Sequence, residues 1–77
     1  MSTFTDIVLS RLGSVEEAEI PSVVSAAEDL ERKGWTPGEA ISYLRWCEHV
    51  DPTITEDVAL RHMRIVRERV ELRLAAK

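Results

Sequence analysis

A chain of 77 residues has room for one domain, and with 44% apolar side chains it is too hydrophobic to stay disordered. Its formal net charge of −4 is wrong for a general nucleic-acid coat, and no apolar run approaches the ~20 residues that span a bilayer. No basic region followed by an apolar core marks a signal peptide, and a single cysteine excludes an intrachain disulfide and fits a reducing cytoplasm.

The charge is unevenly spread. Residues 1–60 hold four basic and twelve acidic side chains, a net of −8. Residues 61–77 hold six basic and two acidic, a net of +4. The chain end is a positive rod attached to a negative body.

The expected fold is all-α, one domain over 1–77, a compact bundle of four helices. The first runs over about 4–12. Thr3 or Thr5 is its expected cap, Asp6 suits the positive end of the helix dipole, and Gly13 ends it. Phe4, Ile7, Val8 and Leu12 share one face. The second segment, 15–33, opens on a capping box at Ser14-Val-Glu-Glu17 and is expected to break or kink at Pro21. Val23, Ala26, Ala27 and Leu30 form its apolar face, and Gly34 terminates it.

The third helix, 37–50, has the clearest start signals. Thr36-Pro-Gly-Glu39 is a capping box with proline at the first helical position, and Trp35 can staple onto Ala40. Asp51-Pro52 is its expected stop. At about 100° per residue, Ala40, Tyr43, Leu44, Trp46, Cys47 and Val50 cover more than half its circumference. Such a helix has neighbours on at least two sides. The fourth runs over 55–75 without glycine or proline, behind a box at Thr53–Glu56 or a cap at Thr55.

That last helix carries two apolar stripes. Ala59, Leu60, Met63, Val66, Val70 and Leu74 should face the core. Val58, Ile65 and Leu72, spaced by seven, lie nearly opposite, flanked by Arg61 and Arg69. One stripe seats a helix on its own domain, so the second line is either a protein interface or is covered by the first helix. Val58, Arg61, Ile65, Arg69 and Leu72 are the candidate interface residues, and a homodimer is the expected use.

Chemistry is thinly represented. Cys47, His49 and His62 are the soft metal ligands, but Cys47 and His49 point about 200° apart on a helix, and a closed zinc site needs four ligands. No catalytic residue, metal or cofactor is assigned. A Cys47–His62 nucleophilic pair lacks any accompanying glycine-rich loop or nucleophile elbow. Cys47 is expected to be a buried small hydrophobe, with both histidines solvated. For nucleic acid the candidates are Arg64, Arg67, Arg69, Arg73 and Lys77. They do not share one face, and Asp57–Arg61, Arg64–Glu68 and Arg67–Glu71 are spaced for local ion pairs.

Two local patterns add resemblances. Trp35-Thr-Pro-Gly-Glu-Ala40, up to Leu44, resembles the opening of helix–turn–helix regulators of the excisionase type, which implies DNA binding. The helix expected to reach Val50, and the connector after it, depart from that pattern. Lys33-Gly-Trp35 with Ala40 and Leu44 is similar to the glycine–aromatic loop of ubiquitin-associated domains, three-helix binding modules. There the last helix is too long. Each covers under half the chain, and no functional residue is carried over from either. The expected function is a small non-catalytic interaction module, of the size and style of viral or mobile-element accessory proteins. It would regulate, inhibit or adapt a protein partner, without a membrane. A DNA-binding regulator of helix–turn–helix type ranks second.

Overall fold

A computed structural model describes residues 3–13, 15–47 and 53–76. Its elements are α1 (Thr3–Leu12), a 3₁₀ turn (Glu17–Glu19), α2 (Ile20–Arg32), α3 (Pro37–Leu44) and α4 (Glu56–Ala75). The fold is all-α, as the periodicities require.

Helix α3 is the hub: it packs on α1, α2 and α4. Ala40, Ile41 and Leu44 are buried on it, meeting Phe4 and Val8 of α1 and Val23, Ala27 and Leu30 of α2 in one core. Helix α4 contributes Val70 to that core, with Val66 and Leu74 packed alongside. Among the helices it rests on α3 alone. The result is flat, 37 × 31 × 16 Å.

The turn that aims α3 forms as its residues dictate. Gly34 has φ +92°, and the Gly34 and Trp35 amides donate to the carbonyls of Glu31 and Leu30, each at 3.1 Å. These two bonds make the Schellman closure of α2, with the apolar pair Leu30 and Trp35 buried across it. A Cβ at Gly34 would stand 3.2 Å from a Leu74 methyl, so the leucine side chain would have to give by a few tenths of an ångström. The capping box is complete: the Glu39 amide donates to the Thr36 hydroxyl at 3.2 Å, and the Thr36 amide donates to Glu39 Oε1 at 2.8 Å. Trp35 meets Tyr43 edge-on, centroids 5.2 Å apart. Thr36→Ala is therefore expected to cost about 1 kcal/mol, read as a shift in the urea midpoint. An unchanged midpoint would mean the cap contributes nothing.

Several boundaries differ from expectation. Helix α3 ends at Leu44, not Val50. Trp46 and Cys47 close tight turns onto the carbonyls of Tyr43 and Leu44, and Trp46 then stacks on His62 of α4. The expected stop at Asp51-Pro52 lies outside the described residues, as do His49 and Val50.

The segment 15–33 is broken, as Pro21 requires. α2 starts at Ile20, with the proline in its first turn, where no helical hydrogen bond is lost. The box at Ser14–Glu17 does not open a helix. Glu16 precedes the 3₁₀ turn there, without a side-chain cap, and Ser14 lies outside the described residues. Thr5 is not a cap but lies inside α1, fully buried. At α4 the N-cap is Thr55, in an extended conformation without a side-chain bond, so Glu56 falls at the first position rather than the third a box needs.

Candidate functional site

The outer face of α4 carries the apolar side chains the core did not take. Val58 is 38% exposed, Ile65 40% and Leu72 73%. Helix α1 does not cover them: it packs on α2 and α3 and makes no contact with α4. The choice left open by the sequence falls against coverage. Leu60, expected in the core stripe, is 54% exposed. It stands about 80° around the helix from Val70 and nearly three turns before it.

The three local ion pairs expected on α4 are not formed among the described residues. Arg61, Arg64, Arg67 and Arg69 are exposed there without a hydrogen-bonded or ion-paired partner. Arg73 is different. Its Nε donates to Glu39 Oε2 at 2.7 Å, and its Nη2 donates to Glu39 Oε1 at 2.6 Å and to the Gly34 carbonyl at 3.0 Å. This bidentate clamp fixes α4 to the cap of α3 and withdraws Arg73 from the nucleic-acid set. Lys77 lies outside the described residues. The sequence did hold one signal for the clamp: Arg73 borders the core stripe and has no acidic residue three or four positions away.

Hydrogen bonds from Arg73, together with those from Thr36, hold the Glu39 carboxyl below its ordinary range despite an opposing push from burial. The same contacts raise Arg73 further. A carboxylate depressed in the folded state stabilises the fold above its unfolded pKa, and that contribution is lost as pH falls through the folded value. Wild type is therefore expected to lose stability on acidification through the carboxylate range. Glu39→Gln should be less stable at neutral pH and should approach wild type in acid. Parallel stability–pH curves for the two proteins would rule out the clamp as a contributor.

A second feature was not foreseen. Trp46, Cys47 and Ile54 on the connector side, with Ala59, Leu60 and Met63 of α4, line an open groove of about 380 Å³. Cys47 is half-buried in this wall rather than in the core. His62 is half-buried rather than solvated, stacked on Trp46 with centroids 4.0 Å apart and rings 11° from parallel. No hydrogen bond joins Cys47 to His62, and no group of three candidate metal ligands occurs among the described residues. No helix among them is long and apolar enough to cross a membrane.

No family model, curated protein or solved structure matches this chain.

Proposed function

We propose that this protein is a small non-catalytic interaction module that works through the outer face of α4, as a homodimer, to regulate or adapt a protein partner. One observation carries the reading: the longest helix seats on α3 alone and leaves Val58, Ile65 and Leu72 in solvent along one line. Single exposed apolar residues are ordinary, but three aligned over four turns of a helix are a surface. The surface area agrees. A monomer of 8.7 kDa is expected to expose about 4,700 Å². This chain exposes 5251 Å², a surplus of about 500 Å².

The energy scale sets what to look for. Burying a Val, Leu or Ile from full exposure yields about 1.5–3 kcal/mol. Scaled by remaining exposure, the line contributes about 5–9 kcal/mol per pair of copies, against an association cost of about 4–15 kcal/mol. Apolar contact alone supports a weak dimer, and the flanking charges must add to it. Sedimentation equilibrium from low micromolar to millimolar protein tests the proposal. A monomer at every concentration overturns the homodimer.

DNA binding ranks second, on the unpaired Arg64, Arg67 and Arg69. Those three project around the helix rather than along one groove-facing edge, and the body they are attached to is acidic. Submicromolar DNA binding that weakens steeply with salt would reverse the order.

A further inference from the structure

We infer that the occupant of the α4 face is a second copy of this chain, packed antiparallel about a two-fold axis at Ile65. This rests on the homodimer reading above and adds its orientation and register. The placement of residues along α4 is self-complementary. Helix rise is about 1.5 Å per residue, so Val58 and Leu72 stand equally far from Ile65, about 10.5 Å to either side. An antiparallel two-fold pair therefore sets Val58 against Leu72 of the second copy, Ile65 against Ile65, and Leu72 against Val58. The most exposed member of the line meets the least exposed one.

The flank follows the same symmetry. Arg61 lies four residues before Ile65 and Glu68 three after, and seven residues bring them to the same side of the line. A two-fold axis perpendicular to the helices keeps that side facing its own counterpart while reversing the direction. Arg61 then falls within about 1.5 Å, along the helix axis, of Glu68 of the second copy, and the reverse contact occurs at the other end. Both side chains are exposed and unpaired in the single chain, so neither gives up an existing contact. The opposite flank sets Arg69 beside the second copy's His62, an imidazole already stacked on Trp46.

A parallel pair also finds a charge match, Glu68 with Arg69. Two features decide against it. Val70, Arg73 and Leu74 seat the body on the C-terminal half of α4, and residues 1–55 hold ten acidic against four basic side chains, a net of −6. Parallel packing brings two such bodies to one end, whereas antiparallel packing sends them to opposite ends. Helix dipoles also favour the antiparallel arrangement.

Disulfide trapping in a Cys47→Ser background tests this. Val58→Cys mixed with Leu72→Cys should give the mixed disulfide in preference to either homodimer, and Ile65→Cys should cross-link to itself. Charge exchange gives an independent measure. Arg61→Glu or Glu68→Arg alone should weaken dimerisation about tenfold, and the double exchange should restore it. Self-linking of Val58→Cys and Leu72→Cys, with a double exchange that stays weak, means a parallel pair. It overturns this inference and leaves the homodimer standing. A wild-type chain that stays monomeric overturns both.

Discussion

Ile65→Asp is expected to turn the proposed dimer into a monomer while the helical circular-dichroism signal stays at the wild-type level. Ile65 stands at the middle of the exposed line, where burial in a pair is most complete and binding energy concentrates. In the two-fold arrangement the substitution places two carboxylates against each other in an apolar seam. Each loses solvation without gaining a partner, a penalty of several kcal/mol that exceeds what the apolar contacts supply. Dimerisation should weaken by at least about 100-fold. The fold should tolerate the change because Ile65 faces away from Val70, the buried residue of α4. The intrinsic cost of aspartate in a helix is only about 0.7 kcal/mol relative to alanine. Sedimentation of variant and wild type at matched concentration decides the matter. Equal dimer fractions would mean that Ile65 is not in the contact.

Leu44→Ala is expected to have the opposite signature, a loss of fold stability of about 2–5 kcal/mol. Leu44 is 2% exposed at the last turn of α3, the helix that touches all the others. Removing its side chain opens a cavity that neither α1 nor α4 can close without giving up its seat on α3. A domain of this length has roughly 4–12 kcal/mol in total, so the variant approaches the limit of folding. Chemical denaturation reads the effect as a lower midpoint. A loss below about 1 kcal/mol would mean that the α3 interface repacks freely. Together the two substitutions separate the face that holds the domain together from the face assigned to association.

The periodic and capping signals were legible where they depend on neighbours in the chain. The closure at Gly34, the box at Thr36 and Glu39, the faces of α1 and α2, and the extent of α4 all follow from local chemistry. So did the second line on α4, because a spacing of seven is a property of the helix itself. The α3 end was not legible. A proline stop at 52 is a strong signal, yet Trp46 stacks on a histidine sixteen residues away, and that contact lies outside any local window.

The amino-acid order by itself determined the all-α class, the turn that aims α3, and the line Val58, Ile65 and Leu72, since each rests on bonds or spacings within a few residues. Only the tertiary structure decided what those elements touch. It set α1 against α2 and α3 rather than α4, tied Arg73 to Glu39 across thirty-four residues, and opened the groove beside Trp46. The physical reason is that packing selects among faces of similar hydrophobicity by shape and by the sharing of a single hub. A short α3 has surface for three neighbours but not for both sides of α4. The side it does not cover carries the exposed line Val58, Ile65 and Leu72.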